Sequence, residues 1–137
     1  MRSIARRLYL VAAWLFVASI VFQVFLAGAA ISNLGGSGNF STHAEFGYTV
    51  VGLIALAVLL TAVLSGLPRR EIGIAFGLLV LYIVQTILPS FRDSTSWIAA
   101  LHLVNALVLF AAAIWVAWRA RRWLGEWNSP TAPPAST

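Results

Sequence analysis

The chain has no cysteine and no lysine, and only four of its 137 residues are acidic. The absence of cysteine excludes disulfides, thiolate metal sites and thiol catalysis. The acidic residues are scattered, so no carboxylate pair for general acid–base catalysis is evident. No nucleophile elbow is present, and the glycine-rich segment 34–39 lacks the strand, lysine and helix of a phosphate-binding loop. We interpret that segment as a flexible connector.

Charge is scarce and apolar residues dominate. The sequence is 61% hydrophobic and 9% charged, whereas soluble domains are about 45–50% apolar and 25% charged. A membrane-spanning helix needs about 20 predominantly apolar residues. Four runs meet that length, namely residues 8–31, 43–65, 72–90 and 96–118. The sequence therefore predicts an all-α fold, an integral membrane four-helix bundle built from two helix-loop-helix repeats, with residues 1–127 as a single transmembrane domain. Residues 128–137, rich in proline, serine and threonine, are predicted to form a disordered cytoplasmic tail.

The first apolar run follows a basic leader and has features of a signal peptide. Its apolar stretch from Leu8 to Leu26 is longer than the 7–15 residues of a typical signal core. We therefore expect it to be retained as the first helix of the bundle.

The arginine residues predict the orientation in the membrane. Eight of the nine lie before the first run, between the second and third, or after the fourth, and Arg92 alone lies between the third and fourth. This asymmetry places both termini in the cytoplasm. Arginine without lysine, beside abundant alanine, indicates a GC-rich bacterial genome and hence the bacterial cytoplasmic (inner) membrane. The net charge of +5 then reflects topology and contact with the lipid bilayer, and gives no support for nucleic-acid binding.

The two histidines stand in a repeated pattern. Gln23-Val-Phe-Leu precedes His43, and Gln85-Thr-Ile-Leu precedes His102, so each histidine near the start of one apolar run follows a glutamine near the end of the previous run. Two imidazoles from equivalent helices of a four-helix bundle are natural axial ligands of one haem iron. The pattern predicts haem b as cofactor, with His43 and His102 as the metal ligands.

Three further side chains are candidate contacts of the same cofactor. Gln23 and Gln85 can donate hydrogen bonds to a histidine nitrogen or to the haem edge, or they can simply join helices. Arg92 can pair with a haem propionate, or with the neighbouring Asp93, or face solvent. All of these residues fall in the outer half of the predicted bundle, where Asn105 also lies.

A structural role for His43 stays open. Thr42 and Glu45 have the spacing of a capping box, in which case His43 only marks the start of a helix. His43 also falls about one turn nearer the surface than His102, although two nitrogens on one metal lie about 4 Å apart. A haem site therefore requires the second helix to start earlier than residue 43, or the helices to be offset. A zinc site would need a third protein ligand, for which Glu45 is the candidate.

The Gln-x-x-Leu and histidine pattern, over residues 20–110, resembles one half of the haem A synthase family. Each half of those proteins is a four-helix bundle whose second and fourth helices contribute histidines. The resemblance implies that His43 and His102 correspond to a haem-ligand pair. It departs at Ala44 and Leu103, where that family often has arginine. The chain also resembles small bacterial four-helix membrane proteins, which implies no function.

Two functions are compatible with these patterns. The first is a small b-type haem protein for electron transfer or haem handling near the outer face. The alternative is a cofactor-free structural or assembly subunit of a membrane complex. The partner would be a redox or assembly membrane protein, or a second copy in a homo-oligomer, and the residues leave open whether the protein is an enzyme.

Overall fold

Four long helices make up nearly all of the computed structural model, which describes residues 2–128. Helix α1 spans Arg2–Ala30, α2 spans Ser41–Leu64, α3 spans Arg69–Ile87, and α4 spans Ser96–Asn128. A single 3-10 turn at Ser32–Leu34 follows α1, and another at Leu88–Phe91 extends α3. No strand occurs within residues 2–128. The predicted all-α fold with four helices is confirmed, and each helix is long and apolar enough to cross a membrane by length and composition.

Helices α1 and α4 extend beyond the apolar runs of the sequence. Helix α1 begins at Arg2 although its run begins at Leu8, and α4 continues past Trp118 to Asn128. The extensions are rich in arginine, which has a high helix propensity and does not end a helix. Apolar runs thus mark the hydrophobic part of a helix and not its ends. The predicted tail, residues 128–137, lies outside the described residues apart from Asn128.

The helices pack as a ring of four. Helix α1 packs against α2 and α4, and α3 packs against the same two helices. Helices α2 and α4 are therefore diagonally opposite, and each carries one histidine. We call the end with the connections 31–40 and 92–95 the histidine end, and the end with Arg2 and the turn 65–68 the terminal end.

The packed core lies towards the terminal end. Phe16, Val58 and Val116 are fully buried there, and alanines on all four helices let the backbones approach. Among the described residues, α2 has no buried side chain before Val51 and α4 has none before Leu109. The histidine half of the bundle is consequently less tightly filled than the terminal half.

Helix α2 contains a π-helical segment that begins one turn after His43. The segment is Gly47–Val51, between the α-helical parts Ser41–Phe46 and Gly52–Leu64. The Tyr82 hydroxyl of α3 donates to the Gly47 carbonyl oxygen at 3.0 Å, and the Tyr48 carbonyl oxygen lies 3.3 Å away. A Cβ at Gly52 would lie 2.5 Å from that hydroxyl. Short π-helical insertions are rare in proteins, and those that occur are often found at functional sites. Here the Tyr82 hydroxyl of α3 bonds to the backbone of one such insertion.

The start of α2 differs from the predicted capping box, and the prediction was wrong. Phe40 is the N-cap residue, and no side chain makes a cap hydrogen bond. The Ser41 backbone N–H instead donates to Asn39 Oδ1 at 2.8 Å. The helix thus begins two residues before His43, in the direction that a paired histidine site requires.

Candidate functional site

A cavity of about 600 Å³ opens between the four helices at the histidine end. Its volume is within the range of about 300–1,000 Å³ that is typical of ligand sites. Five of its lining residues are alanine or glycine, namely Ala27, Ala44, Gly47, Ala99 and Ala106. All five predicted site residues line it: Gln23, His43, Gln85, Arg92 and His102.

The two imidazoles lie close together in this cavity, on diagonally opposite helices. The ring centroids of His43 and His102 are 6.4 Å apart, and the ring planes are inclined by 72°. The difference in depth that the sequence suggested therefore does not separate the rings. Helices α2 and α4 bring the two rings within ligand-sharing distance of each other.

Each imidazole is held by the same backbone contact. The Nδ1 atom of His43 lies 3.0 Å from the Gln23 carbonyl oxygen, and that of His102 lies 2.9 Å from the Gln85 carbonyl oxygen. Because a carbonyl oxygen only accepts, both Nδ1 atoms carry the proton and donate it. In the neutral rings, both Nε2 atoms are then left with a lone pair. This is the tautomer that a metal-ligating histidine uses, since its other ring nitrogen usually donates to a carbonyl or carboxylate.

The Gln85 side chain belongs to a hydrogen-bond chain on α3 and α4. Asn105 Nδ2 donates to the Leu81 carbonyl oxygen at 3.0 Å and to Gln85 Oε1 at 2.7 Å. Gln85 Nε2 lies 3.2 Å from His102 Nε2. Since the Gln85 oxygen already faces Asn105, its amide N–H faces the histidine lone pair and donates to it.

The Gln23 side chain, at the equivalent place on α1, makes a different contact. Its Nε2 donates to the His43 backbone carbonyl oxygen at 2.8 Å and therefore does not bond the ring. Gly47 leaves room for this amide, because a Cβ at that position would collide with Gln23 Nε2. Gln23 Oε1 is buried and has no hydrogen-bond partner within residues 2–128. The two glutamines are thus equivalent through their backbones and not through their side chains.

Arg92 lies at the mouth of the cavity. Its Nε is 3.5 Å from Asp93 Oδ1, and the two side chains are 81% and 91% exposed. An exposed ion pair of this kind contributes little stability. The predicted pairing with Asp93 is therefore present, and it is weak enough for the guanidinium to turn to an anionic group in the cavity.

The separation of the imidazoles fits one metal ion between them. A metal–nitrogen bond is about 2 Å, and the ring centre lies roughly 1 Å beyond the nitrogen, so two ligating rings on opposite faces have centres about 6 Å apart. The observed 6.4 Å agrees with that value. Residues 2–128 contain no group of three histidine or acidic side chains that could hold a metal ion, so Glu45 does not complete a zinc site. A metal ion held by these two imidazoles would have to take its other ligands from groups other than the described histidine and acidic side chains.

Sequence reasoning missed the role of Tyr82 and a buried ion pair at the terminal end. Tyr82 lies three residues before Gln85 and therefore on the same face of α3, so the spacing in the sequence could have placed it beside the site. Glu71 and Arg119 form a two-pronged pair, with Arg119 Nε donating to Glu71 Oε2 at 2.8 Å and Nη2 donating to Oε1. The Trp115 ring lies 5.0 Å from the Arg119 guanidinium carbon. No spacing rule connects two residues so distant in sequence.

Residues 23–95, more than half of the chain, match the model of a family described as "Family of unknown function (DUF6220)". The matched region begins at Gln23, contains His43 and Gln85, and ends before His102. No curated protein and no solved structure matches the chain.

Proposed function

The chain belongs to the DUF6220 family, and from its own residues we propose that it is an integral membrane protein that binds one b-type haem between His43 and His102. The observation that carries the proposal is the pair of neighbouring imidazoles, with ring centroids 6.4 Å apart, each with its Nδ1 proton donated to a glutamine carbonyl. Both rings thereby present a lone pair on Nε2, which is the form that ligates iron.

The other residues of the cavity have defined parts in this proposal. The Gln23 and Gln85 carbonyls fix the tautomer and the orientation of the ligating rings. Ala106, a small residue one turn after His102, leaves space on α4 for a flat macrocycle, whereas the Gln23 amide occupies the space at Gly47. Arg92 at the mouth is placed to pair with a propionate. When bound, haem supplies one-electron redox chemistry.

The membrane and its orientation are part of the proposal. Four helices are apolar enough to span a bilayer, and eight of the nine arginines belong to the terminal end. We place the protein in the bacterial inner membrane as a multi-pass protein, with both termini in the cytoplasm and the histidine end near the outer face. One haem at one end does not connect the two faces of the bilayer. The proposed role is electron exchange with a partner at the outer face, or haem handling.

The resemblance to half of haem A synthase agrees with this role. Its implied ligands come from the second and fourth helices of a four-helix bundle, and His43 and His102 lie on α2 and α4. The proposal is limited to haem binding and does not extend to haem A synthesis, because Ala44 and Leu103 follow the histidines here.

A cofactor-free structural or assembly subunit is the second candidate, and one observation favours it. Gln23 joins α1 to α2 through His43, and Gln85 joins α3 to α4 through His102 and Asn105, by hydrogen bonds between protein groups. On this alternative, the histidines are polar contacts that fix helix packing within the bilayer.

Titration with haem separates the two candidates. Ferric haem added to the full chain, purified in detergent, should give a Soret band that saturates at one haem per chain. Sharp low-spin bands should appear on reduction. Circular dichroism establishes that the same sample is folded. A folded protein that takes up no haem would overturn the proposal in favour of the packing subunit.

A further inference from the structure

The two candidate ligands are not equally available. The lone pair of His102 Nε2 accepts from the Gln85 amide at 3.2 Å. His43 Nε2 makes no hydrogen bond within residues 2–128, because the Gln23 amide points to the His43 backbone carbonyl instead. The repeat therefore has one uncovered and one covered imidazole.

Asn105 and the Leu81 carbonyl oxygen determine which end of the Gln85 amide covers His102 Nε2. The Leu81 carbonyl oxygen can only accept, so Asn105 must turn its NH₂ group towards it. The second N–H of that group points to Gln85, which must therefore present its oxygen to Asn105 and its NH₂ to His102. Reversing the Gln85 amide would set two NH₂ groups against each other. Asn105 thus holds Gln85 over the histidine.

We propose that Gln85 is a latch on His102, and that His43 is consequently the first ligand of the cavity. This inference rests on the proposed haem site. A metal centre entering the cavity meets the lone pair of His43 directly. His102 can ligate only after the Gln85 amide has left its Nε2 atom. Gln85 is a positioning residue that sets the order in which the two ligands act.

The side chain of Gln85 therefore has an effect opposite to that of its backbone. The carbonyl prepares His102 for ligation by fixing the Nδ1 proton, and substitution leaves this carbonyl in place. The amide opposes ligation, and substitution removes it. A variant without the amide should then be a better partner for His102 and not a worse one.

Diethyl pyrocarbonate tests the latch without any haem. This reagent forms an ethoxycarbonyl adduct at an imidazole nitrogen that has a free lone pair, and mass spectrometry assigns each adduct to a residue. In the wild-type full chain in detergent, we expect His43 to react faster than His102. In Gln85→Met, where the side chain keeps its length but has no N–H, the His102 rate should rise about two- to tenfold, the factor that corresponds to one net hydrogen bond.

Two further variants serve as control and as second test. Gln23→Met changes the equivalent residue of α1, whose amide bonds no ring, and should leave the His102 rate unchanged. Asn105→Ala removes the group that orients Gln85, and should raise the His102 rate by less than Gln85→Met does. If Gln85→Met does not fold, Asn105→Ala and the wild-type ratio of rates still decide the matter.

Haem mixing then tests the order of ligation. Rapid mixing of ferric haem with the wild type should give a transient high-spin species before the low-spin product, and Gln85→Met should shorten its lifetime. Reaction of His43 and His102 with diethyl pyrocarbonate at equal rates would overturn the latch. A His102 rate that stays unchanged in both Gln85→Met and Asn105→Ala would also overturn it. If the reagent detects the latch and the wild type takes up no haem, the covering contact stands, and the ligation order falls together with the proposed function.

Discussion

At the scale of single residues, two glycines on α2 bring neighbouring side chains against its backbone. The Gln23 amide occupies the space where a Cβ of residue 47 would lie, and the Tyr82 hydroxyl occupies the corresponding space at Gly52. Gly47 is the first residue of the π-helical segment, and Gly52 directly follows its last residue. Close packing by small residues is how membrane helices approach each other, and here it also admits polar groups to the backbone.

The substitution Gly52→Ala tests this close approach. The added Cβ would force the Tyr82 ring away from α2 and break its bond to the Gly47 carbonyl, so the free energy of unfolding should fall by about 1–3 kcal/mol. Gly73→Ala on α3 is the matched control, since its Cβ would meet no atom within 4 Å. That variant should be more stable by about 0.5–1 kcal/mol, because alanine favours a helix over glycine. Unfolding in mixed detergent measures both, and equal effects would show that Gly52 has no packing role.

Residue types and their spacing predicted which side chains gather at the cavity, and could not predict how they bond. Gln23, Gln85 and the two histidines were found because the pattern occurs twice. The donor and acceptor assignments depend on Leu81 and Asn105, which no repeat marks. The different contacts made by the two glutamine amides are therefore a property of the folded chain.

At the scale of secondary structure elements, the buried ion pair joins the first turn of α3 to α4. The side chains of Glu71 and Arg119 are only 4% and 18% exposed. Removing one partner leaves a buried charge without compensation, whereas replacing both with apolar residues can be nearly neutral. Loss of one partner should therefore destabilise the protein much more than loss of both partners together.

The variant Glu71→Gln should lower the free energy of unfolding by about 3–5 kcal/mol, because Arg119 is left unpaired in a largely buried position. The double variant Glu71→Leu with Arg119→Leu should recover much of that loss. Asp93→Asn is the control, since it breaks a pair that is almost fully exposed and should not change stability measurably. Thermal unfolding of the four proteins provides the comparison. If Glu71→Gln were as stable as the wild type, a structural role for the Glu71–Arg119 pair would be contradicted.

The apolar character and length of four runs predicted the four helices, and local sequence signals failed at their ends. The Thr42 and Glu45 spacing suggested a cap, but Phe40 occupies that position and Asn39 bonds the first helical N–H. The π-helical segment was not predicted either, because it depends on a hydroxyl supplied by another helix. The π-helical segment is thus set by a contact between two helices, and the start of α2 by Asn39, which the Thr42 and Glu45 spacing does not mark.

At the scale of the whole molecule, a packed terminal half supports a hollow histidine half. Buried side chains and the ion pair hold the helices together at one end, and the cavity with both imidazoles lies at the other. A rigid scaffold of this kind can position ligands without filling the space between them. Arginine collects at the packed end, which gives the molecule a fixed direction in the proposed membrane.

The proposed orientation predicts the sidedness of both ends of the chain. Reporter fusions at Pro68 and at the C-terminus should both report the cytoplasm, since the arginines of the termini and of the turn 65–68 belong to one side. A fusion in the connection 31–40 is the control and should report the opposite side. An outward-facing result at Pro68 or at the C-terminus would reverse the orientation and place the cavity at the inner face.

The central claim is that His43 and His102 ligate one iron from opposite sides, and the spin state of the haem-loaded protein tests it most directly. The wild type should give the spectrum of six-coordinate low-spin haem. His43→Ala and His102→Ala should each give a high-spin or haem-free spectrum, while circular dichroism remains that of the folded bundle. If either variant kept the wild-type low-spin spectrum, that imidazole would not be a ligand, and the paired site would be contradicted.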